Sequence, residues 1–391
     1  MLYLFNNIKR KDIFELLESS DNELLISKLI DFGISEGISG NLYKKFILYT
    51  LIYNENSFTR AIEKGLKVEG FTEYVDLDLR FFYSLYNKNI DLGEVTDFKF
   101  ISVNANRYLP KLVNYFYDSI TDDTYETFKR KVLDFYKIKG LSDMAVYKAF
   151  RVDDGKLKAI KNVLDVTFDD LIGYEEQKKL IKENTLNFIQ GKSYNNVLLY
   201  GDSGTGKSTS VKALLNEYFD MGLRIIEVYK HQMEEISKII NKLKNRPYYY
   251  IIYMDDLSFE ENEIEYKYLK SIIEGGIEPK PENVAIYATS NRRHLIKETM
   301  ADNGGVFDDL HRSETQAEKL SLAYRFGLQI FYSSLSPAQF REMVKELALR
   351  NDIKMPLEEV IKEATKWELT YGSLSGRCAT QFISYLVNKE V

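Results

Sequence analysis

The chain has 391 residues with a formal net charge of -6, 45% hydrophobic and 29% charged residues, and only 6 prolines. This length exceeds one ordinary domain, and the composition is that of a packed globular protein rather than a disordered or fibrous one. A single cysteine excludes an intramolecular disulfide and a cysteine-based zinc cluster, the negative charge gives no global attraction to nucleic acid, and no apolar run approaches the ~18 residues of a membrane span.

Residues 1–164 are predicted to form a mainly helical domain. The opening sequence, MLYLFNNIKRK, places charges straight after a very short apolar stretch, unlike a secretory signal, so the expected compartment is the cytoplasm. Apolar residues recur at helical spacing in DIFELLESSDNELLISKLIDF, NLYKKFILYTLIYNE and TYETFKRKVLDFYKI. The aromatic stretch RYLPKLVNYFYDSI is compatible with a partner surface or a helix core, and its spacing favours core. We expect an adaptor or partner-binding domain that ends near Asp165.

Strand and helix signals alternate beyond a turn cluster at Asp153, Asp154 and Gly155. The predicted strands are NNVLLYG, LRIIEVYK, PYYYIIYMDD, ENVAIYATSN and GLQIFY. Helical patterns join all but the last, which predicts an α/β fold with a parallel sheet and helices on both faces over residues 165–333. Ligands of such sheets bind beyond the carboxyl ends of the strands.

The segment NNVLLYGDSGTGKSTSVKALL contains a phosphate-binding motif, because its residues 201–208 match G-x-x-x-x-G-K-[ST] between a predicted strand and a predicted helix. The glycines let consecutive N–H groups converge on phosphate oxygens at the start of the helix. Lys207 is expected to reach the β- and γ-phosphates and Ser208 to bind Mg²⁺, while Thr209 serves helix packing or a secondary phosphate contact. The alternative is a glycine-rich turn with an exposed lysine. The predicted loop contacts are Gly201, Asp202, Ser203, Gly204, Thr205, Gly206, Lys207, Ser208 and Thr209.

Two adjacent acids and an asparagine follow predicted strands and complete a nucleotide site. Asp255 is expected to hold Mg²⁺ through water, and Asp256 to polarise the attacking water. Asn291 is expected to present its amide to the γ-phosphate or to the water. A turn or helix cap is the alternative for each of these residues. Because Asp256 is one methylene shorter than glutamate, nucleotide binding is predicted more firmly than hydrolysis.

The order of these motifs, followed by RFGL at 325–328 and SGR at 375–377, resembles the AAA+ ATPases. The stretches DDLSFEENEIEYKYLKSIIEGGIEPKPENVAIYATSNRRHLI and EKLSLAYRFGL closely resemble a bacterial group of AAA+ domains of unknown function, and the resemblance runs from about residue 169 to 377. It implies ATP or ADP with Mg²⁺ as cofactors and a C-terminal helical lid over residues 334–391. In FDDLIGYEEQKKLI it implies that Ile172 and Gly173 contact the purine.

The resemblance also assigns roles to arginines. Arg325 is similar to the finger that reaches the γ-phosphate bound by a neighbouring subunit, and Arg312 is the alternative finger. Arg377 is similar to the arginine that contacts the nucleotide of its own chain from the lid. An arginine bonded to carbonyls at a helix end, or a solvated one, is the competing interpretation.

The resemblance implies an ATPase that forms a homo-oligomer in the ATP state and remodels an unknown protein or nucleoprotein partner. The chain has no aromatic-x-Gly pore motif between the second and third predicted strands, which argues against protein threading. It also has no room for a helicase hairpin before Asn291, and its paired acids are similar to those of initiators and helicase loaders. Direct nucleic-acid binding stays open. The alternative function is a nucleotide-gated binding module, or a helicase-loader-like protein, with little turnover.

Overall fold

The structure is a computed structural model that describes residues 2–19, 21–68, 70, 72–88, 98–99, 108–121, 124–259, 263, 265–274, 280–292, 295, 322–371 and 373–390. The chain forms two compact units. The first contains Met1–Lys148, Ala159–Lys161 and Asn245–Pro247, and the second contains Ala149–Lys158, Asn162–Lys244 and Tyr248–Val391. The second unit therefore begins before the boundary that the sequence suggested near Asp165.

The first unit is mainly helical over its described residues. Its helices are α1 (Lys11–Leu16), α2 (Asn22–Glu36), α3 (Leu42–Tyr53), α4 (Ser57–Glu63), α5 (Thr72–Tyr86), α6 (Leu109–Ser119), α7 (Tyr125–Lys139) and α8 (Ser142–Val146). Helix α3 is buried from Leu42 to Tyr53 except at the half-buried Lys44, so it lies in the core of the unit. In the aromatic stretch, Phe116 is buried and stacks on Phe135 with ring centroids 4.2 Å apart, whereas Tyr115 is exposed. The rings of this stretch thus contribute mainly to the helical core.

The second unit is built on a seven-stranded sheet. Its strands are β1 (Ala149–Asp153), β2 (Lys156–Ile160), β3 (Val197–Gly201), β4 (Leu223–Glu227), β5 (Tyr249–Met254), β6 (Val284–Ser290) and β7 (Leu328–Tyr332). They lie in the order β2-β1-β4-β5-β6-β3-β7, and the neighbours from β1 to β7 pair in parallel. All five predicted strands are confirmed, and the order places the carboxyl ends of β5 and β6 next to that of β3.

Strands β1 and β2 are an addition to the predicted sheet. Their sequence, AFRVDDGKLKAI, contains the turn cluster of Asp153, Asp154 and Gly155 that predicts a joint between domains. The two strands are connected by Asp154 and Gly155, whose φ angles of 47° and 66° are both positive. A two-residue Asp-Gly connection with positive φ at both positions is a hairpin turn. Parallel pairing of β1 with β4 then makes this hairpin part of the sheet.

Helices of the second unit connect the strands and form the C-terminal region. They are α9 (Glu175–Ile189), α10 (Lys207–Tyr218), α11 (Ile236–Leu243), α12 (Glu265–Glu274), α13 (Pro337–Arg350), α14 (Leu357–Tyr371) and α15 (Gly376–Glu390). Helices α13, α14 and α15 pack around a hydrophobic core of their own that includes Phe340, Val360 and Phe382. Cys378 is buried in this core. We refer to residues 334–390 as the lid.

Candidate functional site

The glycine-rich loop joins β3 to α10 and has a backbone that only glycine accommodates. Gly201, Gly204 and Gly206 have φ angles of 131°, 76° and 96°. A Cβ atom on Gly201 would lie 2.1 Å from the carbonyl oxygen of Tyr332, and one on Gly206 would lie 2.2 Å from Cδ1 of Leu171. Both conformation and space therefore require these glycines, and the loop curls around the first turn of α10.

The ammonium of Lys207 lies inside the curl of this loop. Its Nζ donates to the carbonyl oxygens of Gly201 at 2.9 Å and Asp202 at 2.6 Å, and to Oδ1 of Asn291 at 3.0 Å. Burial lowers the pKa of Lys207, and the nearby carboxylates of Asp202 and Asp256 act in the opposite direction. The lysine is thus a buried cation held by neutral oxygens, which suits it to receive an anionic group.

The first acid after β5, Asp255, accepts hydrogen bonds from hydroxyl groups. Oδ1 of Asp255 accepts a hydrogen bond from the Ser208 hydroxyl at 2.6 Å. Burial acts to raise the pKa of Asp255, but hydrogen bonds from Ser208, Thr289 and Tyr253 outweigh it, and the pKa lies below its usual range. The carboxylate is therefore ionised at neutral pH beside a hydroxyl, a pair of ligand types that suits Mg²⁺.

Asn291 connects the lysine to the second acid. It follows β6, and its Nδ2 donates to Oδ1 of Asp256 at 2.7 Å while its own Oδ1 accepts from Lys207. Asp256 is exposed and has a positive φ of 50°. The sequence prediction that Asp256 and Asn291 lie together at the edge of the sheet agrees with this geometry, because β5 and β6 are adjacent.

A cavity of about 510 Å³ lies over the loop. The described residues that line it are Asp170, Leu171, Ile172, Tyr174, Ser203, Gly204, Thr205, Gly206, Lys207, Ser208, Thr209, Asp255, Asp256, Thr289, Asn291, Met343, Leu347, Gly376, Arg377, Thr380 and Gln381. One end is polar and contains the lysine and both acids; the other is largely apolar and contains Ile172, Met343 and Leu347. This division matches the phosphates and the base of a nucleotide.

Most of the predicted contact residues line this cavity. Those that do are Ile172, residues 203–209, Asp255, Asp256, Asn291 and Arg377. Gly173, Gly201 and Asp202 are not among the described lining residues. The carbonyl oxygens of Gly201 and Asp202 instead accept hydrogen bonds from Lys207 within the loop. The Asp202 carboxylate accepts hydrogen bonds from Ser334. The roles of all these residues in binding and catalysis remain predictions.

The lid contributes residues that the sequence did not indicate. Met343 and Leu347 come from one face of α13, and Thr380 and Gln381 lie three and four residues after Arg377 in α15. This spacing places Thr380 and Gln381 on the same face of the helix as Arg377. That shared face is the sequence signal by which Thr380 and Gln381 could have been predicted. The backbone N–H of Arg377 donates to the carbonyl oxygen of Gly204 at 3.2 Å.

The predicted finger lies apart from these groups. Arg325 is not among the described residues that line the cavity, and its guanidinium forms an ion pair with Glu274 at the end of α12. The alternative finger, Arg312, lies outside the described residues.

The strand, loop and helix, with the acid pair and Asn291 at the adjacent strand ends and a helical lid over the cavity, define an ATP-binding protein of the AAA+ class. Residues 143–390 match the family described as "Protein of unknown function (DUF815)", and the chain belongs to that family. Among the described residues, none of the helices combines the length and apolar character needed to cross a bilayer.

Individual proteins show a more distant likeness. The replication factor C large subunit of Nanoarchaeum equitans is 23% identical over 237 residues, which are 57% of this chain and 47% of the relative. The chain thus spans about half the length of that curated relative. A mutant RuvB from Thermotoga maritima has a TM-score of 0.38 with 17% identity, over 56% of this chain and 64% of that one. The RuvB Holliday junction branch migration motor of the same organism has a TM-score of 0.34 with 15% identity, over 56% and 71% of the chains.

Proposed function

We propose that this protein binds ATP with Mg²⁺ in the cavity, hydrolyses it where subunits of a homo-oligomer meet, and uses the cycle to remodel a protein or nucleoprotein partner. The observation that carries the proposal is the continuous chain of contacts from Lys207 through Asn291 to Asp256, beside the Ser208–Asp255 pair. A structural lysine in a glycine-rich turn would not require a strand-end asparagine that joins it to the acid at the end of the adjacent strand.

The proposed chemistry assigns one task to each group. Lys207 binds the β- and γ-phosphates, and Asp256 orients water and accepts its proton as the water oxygen bonds to the γ-phosphorus. The bond from that phosphorus to the β–γ bridging oxygen breaks, which yields ADP and inorganic phosphate. Ser208 and Asp255 would hold Mg²⁺, which supplies charge neutralisation at the phosphate oxygens when it is bound. Asn291 keeps the Asp256 carboxylate in place.

The remaining assignments complete the proposal. Ile172 and Gly173 contact the base, Arg377 contacts the nucleotide of its own chain, and Arg325 reaches the γ-phosphate of a neighbour. The first unit serves as the adaptor for the partner, and the cytoplasm is the proposed compartment. A nucleoprotein partner is favoured by the likeness to a replication factor, although the net charge of -6 gives no independent support for direct nucleic-acid binding.

Removal of the buried ammonium tests the site. Lys207→Ala is expected to weaken ATP binding by at least 100-fold, because it removes the cation enclosed by the loop. Titration with a fluorescent ATP analogue measures this effect. Lys192→Ala, at an exposed position just after α9, is the matched control, since it removes the same charge and should bind ATP like the unchanged protein. Equal affinity in the two variants would refute the site.

A second candidate function is a nucleotide-gated binding module with negligible turnover. Asp256 favours it, because an aspartate reaches less far than a glutamate and here has a left-handed backbone with φ of 50°. Phosphate release per subunit, measured against protein concentration, separates the two functions. A site completed by a neighbour must turn over faster as subunits assemble, whereas the binding module shows ATP affinity and no such rise.

A further inference from the structure

A cluster of hydroxyl groups surrounds one oxygen of Asp255. Oδ1 accepts hydrogen bonds from Ser208 Oγ at 2.6 Å, Tyr253 OH at 2.7 Å and Thr289 Oγ1 at 2.6 Å. Tyr253 and Thr289 are 2% and 1% exposed. Among the residues that the structure describes, no donor contacts the second oxygen, Oδ2. The cluster therefore saturates one carboxylate oxygen and leaves the other available.

Thr289 also fixes the second acid. Its Oγ1 donates to Asp255 and accepts from the backbone N–H of Asp256 at 2.9 Å. That N–H belongs to the residue with the left-handed backbone. One buried hydroxyl thus holds the side chain of the first acid and the main chain of the second, which sets the two carboxylates relative to each other.

The sheet explains why these hydroxyls meet. Tyr253 lies two residues before Asp255, so both side chains project from the same face of the chain as it leaves β5. Met254 pairs with Ala288 in the parallel register of β5 and β6, which places Thr289 beside Asp255. The two donors therefore come from the rigid centre of the sheet rather than from a loop.

We infer that Tyr253 and Thr289 are positioning residues for the metal of the nucleotide site: they hold Asp255 in the orientation that binds Mg²⁺ before nucleotide arrives. The inference rests on the proposed Mg²⁺–ATP function. Hydrogen bonds to a ligating carboxylate fix its orientation, and loss of such a bond typically weakens metal binding by about 10- to 100-fold. Ser208 differs from the other two donors because its hydroxyl is itself an expected ligand.

The test is the affinity for Mn²⁺, a paramagnetic substitute for Mg²⁺, measured by electron paramagnetic resonance with a saturating non-hydrolysable ATP analogue. Tyr253→Phe and Thr289→Val are expected to raise the Mn²⁺ dissociation constant by about 10-fold or more. Thr289→Ser keeps the hydroxyl and should retain the affinity of the unchanged protein. Binding of the analogue in the presence of EDTA should be the same in all of these proteins, since the inferred role concerns the metal alone.

Tyr287→Phe is the matched control. Tyr287 is also a buried tyrosine of the central strands, but its hydroxyl contacts Asn184 and Thr185 of α9 instead of the acids. Its loss should leave Mn²⁺ affinity unchanged. An unchanged affinity in Tyr253→Phe overturns the inference for that residue, and an equal loss in Tyr287→Phe shows a merely structural effect and overturns it as well. If the unchanged protein binds no ATP analogue, the proposed function itself is wrong.

Discussion

At the scale of single residues, Asp256 combines an unusual backbone with a proposed catalytic carboxylate. Its φ of 50° lies in the left-handed region, which is unfavourable for most residues and tolerated best by glycine, asparagine and aspartate. The N–H bond to Thr289 and the bond from Asn291 hold this conformation. Backbone strain of this kind is concentrated at functional sites, which gives a physical reason for an aspartate here in place of a longer acid.

Asp256→Asn is expected to separate binding from cleavage. Asparagine tolerates the same backbone and its amide oxygen still accepts from Asn291, so the affinity for ATP should be retained. The amide cannot accept a proton from water, and hydrolysis should fall by about 10²- to 10⁴-fold. Single-turnover phosphate release, with ATP affinity measured on the same sample, checks both statements.

Normal hydrolysis by Asp256→Asn would move the water-orienting role to another acid. Glu263 is the next described candidate, and it forms an ion pair with Lys230. Glu260 lies outside the described residues.

Sequence reasoning predicted the polar half of the site and missed most of the apolar half. Residues 201–208 were found because the loop contacts are contiguous and each residue type has a defined task. Thr289 was missed because its partners, Asp255 and Asp256, become its neighbours only through the register of β5 and β6. Met343 was missed because an apolar cavity contact has the same sequence pattern as any buried helix face.

At the scale of elements, the glycine-rich loop is attached to the lid at two places. The Asp202 carboxylate accepts from the backbone N–H and the hydroxyl of Ser334, at 2.8 and 2.6 Å, where the chain enters the lid. The Gly204 carbonyl accepts from the N–H of Arg377 at the start of α15. The hydrogen bonds from Ser334 lower the pKa of Asp202, so this acceptor is ionised at neutral pH. The loop is thus joined by hydrogen bonds to the beginning of the lid and to the beginning of its last helix.

A double-mutant cycle tests this attachment. Asp202→Ala and Ser334→Ala should each speed the dissociation of fluorescent ADP, with about a tenfold effect for Asp202→Ala, because hydrogen bonds to a charged acceptor are worth ~1.5–3 kcal/mol. The double variant should dissociate ADP no faster than Asp202→Ala, since Asp202→Ala already removes both hydrogen bonds from Ser334, including the hydroxyl bond that Ser334→Ala removes. Stopped-flow fluorescence measures the rates. Ser333→Ala, at the preceding residue, is the control, and additive effects of the two variants would contradict a direct attachment.

The hairpin of β1 and β2 shows what an element-level prediction requires. Four of the five predicted strands have runs of buried apolar residues, as in β6, where every residue is buried, whereas in β7 Phe331 is exposed. Strand β2 lies at the edge of the sheet and alternates lysines with partly buried residues. Its apolar content alone is therefore a weak signal for a strand. The Asp-Gly pair between two alternating segments was the stronger signal. The order of the strands followed from neither pattern, since periodicity carries no information on which strands are neighbours.

At the scale of the whole molecule, the family match and the two compact units divide the chain at nearly the same place. The match covers residues 143–390, so nearly all of the first unit lies outside it. The described residues that line the candidate nucleotide site therefore lie within the family match, whereas the unit to which we assign partner recognition lies mostly outside it.

The proposed role of Arg325 is to complete the site of a neighbouring subunit. It pairs with Glu274 of its own chain and is not among the described residues that line the cavity. A guanidinium placed outside its own site can complete the site of a neighbour, where it would stabilise charge on the γ-phosphate in the transition state. The proposed arrangement would make hydrolysis depend on assembly.

Mixing two inactive variants tests the arrangement. Arg325→Ala should bind ATP normally, because its own loop, Lys207 and Asp255 are intact, and its hydrolysis should fall by about 10³-fold or more. Lys207→Ala has an intact finger and a defective site, so a mixture of the two variants should recover part of the activity at interfaces that pair one intact half with the other. Phosphate release across mixing ratios measures this recovery. Arg341→Ala, at an exposed lid position, controls for loss of an arginine and should keep full activity. A mixture as inactive as its components, or full activity in Arg325→Ala, would refute a finger at Arg325. If Arg312→Ala instead complements Lys207→Ala, the oligomeric mechanism stands and the finger is Arg312.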